Sequence, residues 1–89
     1  MKIKLELFGA SRDFSDNDYL EIKVQDKSSI DDLRNEIIKY IDKNFCGNEN
    51  FIKVVKSSAF CSENNEIISD NYKITKDQKI GIIPPIGGG

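Results

Sequence analysis

One amphipathic helix between two segments of strand-like pattern is the feature that most narrows the folds open to this sequence. Apolar side chains recur at three- and four-residue spacing over residues 29–45, which predicts a helix with a single buried stripe. Ser28 or Ser29 can cap its first turn, and Gly47 can adopt the left-handed conformation that ends a helix. Because a helix with one apolar stripe buries it against one other layer of the fold, we expect this helix to pack on a sheet. The stripe consists of Ile30, Leu33, Ile37, Ile38, Ile41 and Phe45.

Strands are predicted on both sides of this helix, mostly where apolar and polar residues alternate. The predicted strands are residues 2–8, 19–24, 51–61, 67–68 and 79–83. The third is assigned because β-branched and aromatic residues dominate it, and a tight turn over residues 63–66 leads into the fourth. The order β-β-α-β-β-β predicts an α+β fold, with one main helix across one face of a mixed sheet of about five strands. We expect residues 1–83 to form this domain, with the last strand parallel to the first, and residues 84–89 to form a flexible tail.

Composition and charge exclude several classes of function. A chain of 89 residues has room for one core, so an internal substrate cavity is not expected. The formal net charge is -2, and no cluster of Lys and Arg could neutralise a phosphate track, which argues against binding to nucleic acid. No apolar run approaches the roughly 18 to 20 residues of a membrane helix, so we expect a cytoplasmic protein without a membrane contact.

The residues of catalysis and metal binding are sparse. Histidine is absent, and Cys46 and Cys61 have no second pair beside them, so a zinc site or a Cys-His nucleophile is not expected. Asp31 and Asp32 fit the start of a helix better than a pair of catalytic carboxylates. We therefore expect no metal site, no cofactor bound by this chain, two reduced cysteines, and no catalytic site that works without a partner.

The end of the sequence is the candidate functional segment. Pro84 and Pro85 restrict φ and favour an extended course, whereas the glycines at 87–89 carry no Cβ. Residues 84–89 could extend by about 20 Å, far enough to enter a narrow channel in another protein. The terminal carboxylate is ionised at neutral pH and is a poor electrophile, so acyl chemistry there requires activation by another enzyme. A frayed terminus is the alternative explanation of the glycines.

The sequence resembles the family of molybdopterin synthase small subunits, which are ubiquitin-like sulfur carriers of β-grasp fold. The matching stretches are KIKLELFGASRD with Phe8, Gly9, Ala10 and Arg12, the helix start SSIDDLR, the asparagine turn before Ile67 and Ile68, and KIGIIPPIGGG. The last stretch is the specific one, because the family ends in a strand, two prolines and a terminal Gly-Gly. The chain departs from the family at residues 76–79, which replace a glycine-containing turn, and at Gly87, which replaces another small residue.

This resemblance implies a function in sulfur transfer. An adenylating enzyme of the ubiquitin-activating type would use ATP to activate the carboxylate of Gly89, and a sulfur donor would convert it to a thiocarboxylate. Ile86, Gly87 and Gly88 would then insert with it into the active site of the large synthase subunit, where the sulfur attacks the pterin precursor of the molybdenum cofactor.

The resemblance also implies a surface that docks onto these partners beside the tail. The predicted docking residues are Phe8, Ile67, Ile83, Pro84 and Pro85. Phe8 falls out of the alternation of the first strand and should face away from Ile3, Leu5 and Leu7, so exposure is expected for it.

Other functions remain compatible with the sequence. The carrier could serve thiamin synthesis or another pathway, or its carboxylate could form isopeptide bonds to lysines, as in ubiquitin-like modifiers. A β-grasp module that only docks to a partner through its sheet is the alternative from a different class.

Overall fold

A five-stranded mixed sheet with a long helix packed across one face forms the body of the protein. The computed structural model describes residues 1–85. The strands are β1 (Lys2–Leu7), β2 (Tyr19–Lys23), β3 (Ser28–Ser29), β4 (Ala59–Cys61), β5 (Ile67–Ile68), β6 (Lys73–Ile74) and β7 (Gln78–Ile83). The helices are α1 (Ile30–Asn44) and α2 (Glu49–Ser57), with a 3₁₀ helix at Gly9–Phe14.

The main sheet has the strand order β2-β1-β7-β4-β5. β1 pairs with β2 in antiparallel and with β7 in parallel orientation, so the last strand runs parallel to the first, as predicted. β7 also pairs with β4, and β4 pairs with β5, both antiparallel. A separate two-stranded sheet joins β3 to β6, and neither of these short strands is among the predicted ones. The predicted α+β architecture is confirmed.

The core lies between the main sheet and α1. The sheet register places Leu5 opposite both Leu20 and Ile80, so neighbouring strands present apolar side chains on the same face. The helix covers them with four fully buried residues, whereas Ile38 and Phe45 from the predicted stripe pack at its margin and are only partly buried. The four are Ile30, Leu33, Ile37 and Ile41.

Hydrogen bonds at both ends of α1 explain where it begins and stops. The Asp32 backbone N–H donates to Ser29 Oγ at 3.1 Å, and the Ser29 N–H donates to the Asp32 carboxylate at 2.9 Å. The hydrogen bond from the Ser29 backbone lowers the pKa of Asp32 below its ordinary value, and the hydrogen bond with the Ser29 side chain makes a smaller contribution in the same direction. Cys46 and Gly47 both have positive φ after the last turn, which turns the chain toward α2.

The predicted strand over residues 51–61 is wrong in its first part, because residues up to Ser57 form α2 and only Ala59–Cys61 is a strand. The Asn48 side chain caps this helix by accepting a hydrogen bond from the Phe51 N–H at 3.1 Å. Phe51 packs with ring centroids 5.1 Å from both Phe14 and Phe45, and Val55, one turn later, is fully buried. These contacts form only when residues four apart lie on one face, as they do in a helix. Their stabilising effect outweighs the β-propensity of the local sequence.

Arg34 fixes α2 against the rest of the protein. One of its terminal nitrogens donates to the carbonyl oxygens of Val55, Lys56 and Ser58 at 2.9 to 3.1 Å, and the other donates to Asp70 at 2.7 Å. The guanidinium therefore occupies the negative end of the α2 dipole, where a cation is favourable. Its side chain is only 12% exposed, and sequence reasoning did not single it out.

We predict that Ser29→Ala lowers the free energy of unfolding by about 1 kcal/mol, because the first turn of α1 loses its side-chain acceptor. Chemical denaturation measures the difference. Ser28→Ala is the matched control, since Ser28 is the neighbouring serine and the cap contact is made by Ser29. Equal losses in the two variants would contradict the assignment of Ser29 as the cap.

Candidate docking surface and tail root

The face of the main sheet opposite α1 is open, and it changes character from one edge to the other. Its central row runs through five positions in register, ordered Tyr19, Glu6, Gly81, Cys61 and Ile67. The β1 and β2 side carries charged side chains, such as the ion pair between Lys79 and Glu6 at 3.6 Å. The β4 and β5 side is apolar. We call the apolar side, formed by Phe8, Cys61, Ile67, Gly81 and Ile83, the open-face patch.

Phe8 and Ile67 are the exposed members of the open-face patch. The Phe8 residue is 38% exposed and Ile67 is 67% exposed, whereas Cys61 is 5% exposed beneath them. Ile83 is half-buried, opposite Ala59 in the register. The predicted exposure of Phe8 is confirmed, and the sheet brings Phe8, Ile67 and Ile83 together on one face. Their role in docking stays a prediction.

Gly81 allows the Phe8 ring to lie close to the sheet. A Cβ at this position would lie 2.8 Å from Phe8 Cε2 and 2.7 Å from Cys61 Sγ, closer than carbon and sulfur atoms tolerate. Sequence reasoning missed this residue. The available signal was a glycine inside a strand between the apolar residues Ile80 and Ile82, which indicates close approach by another group.

The backbone of Phe8 is held by the turn that follows it. The Phe8 N–H donates to Ser11 Oγ at 3.0 Å, and that hydroxyl donates back to the Phe8 carbonyl at 2.6 Å. Ser11 is fully buried, and Gly9 has a positive φ of 55°, which starts the 3₁₀ helix directly after Phe8. The position of the Phe8 ring is therefore set by a tight, fully bonded turn.

The root of the tail lies beside the same turn. Pro84 is buried and Pro85 is exposed. The Cγ and Cδ atoms of Pro84 are 3.8 Å from the place where a Cβ on Gly9 would stand, which is ordinary van der Waals contact. Pro84 thus packs against the body of the domain, and Pro85, the last residue that the structure describes, is exposed.

A small cleft of about 210 Å³ lies between the 3₁₀ helix, α2 and the two prolines. We call it the tail-root cleft. It is lined by Ala10, Asn50, Lys53, Val54, Ser57, Pro84 and Pro85.

The remaining predicted site residues are Ile86, Gly87, Gly88 and Gly89. They lie outside the described residues, and their roles stay predictions.

The other polar and sulfur-containing side chains that the sequence singled out form no cluster in residues 1–85. Arg12, in the first of the stretches that resemble the family, forms an exposed ion pair with Asp18 at 2.8 Å. Cys46 is exposed, Cys61 is buried, and both are free. Over residues 1–85 no group of three or more His, Cys, Asp or Glu side chains could hold a metal ion, and no helix is long and apolar enough to cross a membrane.

Solved structures with the same fold include ubiquitin-like proteins of three archaea. A putative molybdopterin converting factor, subunit 1, from Pyrococcus furiosus matches with a TM-score of 0.69 and 22% identity, over 96% of this chain and 98% of that one. SAMP1 from Haloferax volcanii matches over 100% of both chains with a TM-score of 0.68 and 12% identity. A ubiquitin from Caldiarchaeum subterraneum matches with a TM-score of 0.61 and 16% identity, over 100% of this chain and 98% of that one. No protein-family model and no curated protein sequence matches the chain.

These matches show that the chain has the ubiquitin-like β-grasp fold. The predicted β-grasp fold is confirmed, and a putative molybdopterin converting factor, subunit 1, is among the structures that share it. A fold alone does not determine a function, so the chemistry has to be argued from the open-face patch and the tail.

We predict that Gly81→Ala lowers the free energy of unfolding by about 1 to 3 kcal/mol, because the added methyl group overpacks the space under Phe8 and Cys61. Removing the Cys61 sulfur should relieve part of this strain. In a Cys61→Ala background the same Gly81→Ala change should therefore cost less. Denaturation of the two single variants and the double variant measures the coupling, and strictly additive losses would show that the close approach is not the cause.

Proposed function

We propose that this protein is a sulfur carrier that acts as the small subunit of a molybdopterin synthase. In this proposal the carboxylate of Gly89 is adenylated, converted to a thiocarboxylate and used to donate sulfur to the pterin precursor of the molybdenum cofactor. The supporting observation is the placement of the tail root: β7, the middle strand of a β-grasp sheet, ends at Ile83, and the buried Pro84 follows it beside an exposed apolar patch.

The tail root suits delivery of a chemical group to another protein. The four residues after Pro85 can extend by at most about 13 Å from a rigid body. Without side chains at its last three positions, such a segment fits a channel too narrow for most sequences. A group carried at its end can therefore react inside a partner's pocket, away from water.

The chain itself contributes a carboxylate, and the partners contribute its activation. An adenylating enzyme of the ubiquitin-activating type would join the Gly89 carboxylate to AMP from ATP, with release of pyrophosphate. Hydrosulfide supplied by the sulfur donor then attacks the acyl carbon and displaces AMP, which leaves a thiocarboxylate with no change of oxidation state. The thiocarboxylate sulfur is a nucleophile, which suits its transfer to the pterin precursor in the large subunit.

The open-face patch is the proposed docking surface for both partners. Exposed apolar clusters are a common mark of protein interfaces. Ile67 is the most exposed large apolar side chain in the described part of the chain, and the turn after Phe8 already holds the Phe8 backbone on the same face. Burial of these two side chains costs little ordering, because the sheet and the turn fix their backbone.

A loading reaction tests the proposed function directly. We expect incubation with the adenylating enzyme encoded in the same genome, ATP and a sulfur source to raise the intact mass by one exchange of oxygen for sulfur. A variant with one residue added after Gly89 should fold normally but remain unloaded. An unchanged mass of the wild-type protein, under conditions that load a known carrier, would refute the proposal.

Docking through the open-face patch predicts the effect of a charge placed on it. We expect Ile67→Glu to reduce the catalytic efficiency of loading by about tenfold or more. The reason is that docking would bury an unpaired carboxylate in place of an apolar side chain. The free energy of unfolding should change by less than about 1 kcal/mol, since Ile67 is exposed. Gln25→Glu adds the same charge at an exposed position outside the patch and should load normally. Equal loading of both variants would exclude the patch as the docking surface.

Conjugation to lysines is a second candidate function. It is supported by the fold of SAMP1 and the Caldiarchaeum ubiquitin, whose TM-scores of 0.68 and 0.61 stand beside 0.69 for the converting factor subunit. The loading reaction separates the two functions when lysine-bearing proteins are included. A modifier forms covalent adducts of higher mass, whereas a sulfur carrier accumulates the thiocarboxylate.

A further inference from the structure

We propose that the α2 side of the tail-root cleft is a second contact surface for the adenylating enzyme that activates the tail, and that Lys53 there binds a carboxylate on that enzyme. This inference rests on the proposed function, because it requires a partner that encloses the end of the chain. It concerns a surface on the opposite side of the tail root from the open-face patch.

One face of α2 borders Pro85, the last described residue before the rest of the tail. Asn50, Lys53, Val54 and Ser57 follow one another at helical spacing, and all four line the cleft together with Pro85. A partner that encloses the residues after Pro85 in a channel would surround Pro85 with the entrance of that channel. One part of the entrance would contact the open-face patch, and another part would contact this face of α2.

The charge of the tail-root cleft indicates which side chains the partner presents to it. Lys53 is its charged lining residue, and it is exposed. Within residues 1–85, the ion pairs with N···O distances up to 4.0 Å do not include Lys53. Asn50 and Ser57 add polar groups, while Val54 and Pro85 add apolar surface. A protein segment with an Asp or Glu side chain complements this combination.

The position of Lys53 favours a protein carboxylate over the phosphate of an adenylate. An adenylate would form at Gly89, which can lie about 13 Å beyond Pro85 in an extended tail. Lys53 borders the cleft at the root of the tail, so its ammonium group faces the entrance of the channel and not its end.

The α2 surface is already fixed in the free protein. Arg34 holds the carboxyl end of α2 by three hydrogen bonds to carbonyl oxygens, and Phe51 packs between Phe14 and Phe45. A partner that binds this face therefore pays little for ordering it. The contact should add binding energy without changing the chemistry at the tip of the tail.

Steady-state loading by the adenylating enzyme from the same genome tests this inference. We expect Lys53→Glu to raise the KM for the carrier by about five- to tenfold with kcat nearly unchanged, because a contact far from the reacting group acts equally on ground and transition states. Lys53→Arg should stay close to the wild type, and Lys53→Gln should fall in between. The KM differences should shrink at high salt, since the contact is electrostatic.

Lys56→Glu is the matched control. It makes the same charge change on the same helix, but Lys56 lines a different hollow, beside Arg34 and Asp70. Thermal melting confirms that each variant is folded. A KM for Lys53→Glu equal to that of the wild type, or an equal rise in Lys56→Glu, would overturn the inference and leave the proposed function standing. Failure of the wild-type protein to load would overturn both.

Discussion

The parallel pairing of β7 with β1 is the constraint on which the rest of this structure depends. It places the last strand of the domain in the middle of the sheet, with β4 on its other side. Ile80 and Ile82 are fully buried on the face covered by α1. The strand that leads into the tail is therefore held on both edges and on one face.

A short segment connects the open-face patch to the tail root. Phe8 lies over Gly81, and the next residue, Gly9, lies beside Pro84. The hydrogen bonds between Phe8 and Ser11 hold this turn in place. The turn that positions the Phe8 ring is therefore the same turn that borders Pro84.

Residues with a strong periodic pattern could be predicted from the sequence, and residues defined by long-range contacts could not. The helix, the short strand at residues 67–68 and the exposure of Phe8 follow from spacing alone. The roles of Gly81 and Arg34 depend on partners far away in the sequence, although a glycine inside a strand was a local signal for Gly81. The α2 segment shows the limit most clearly: its β-branched and aromatic residues favour a strand, but helical spacing places the partly buried Phe51 and the fully buried Val55 on one face.

The sequence by itself determined the α+β class, the main helix and the proline-glycine end of the chain, because each of these is a local pattern of side chains. The tertiary structure decided which surfaces surround the tail root. It buried Pro84, exposed Pro85, brought α2 beside these two prolines, and placed Phe8 and Ile67 on the open face of the sheet. The physical reason is that local patterns act over one or two turns of backbone, whereas the neighbours of Pro85 are selected by the packing of the whole core.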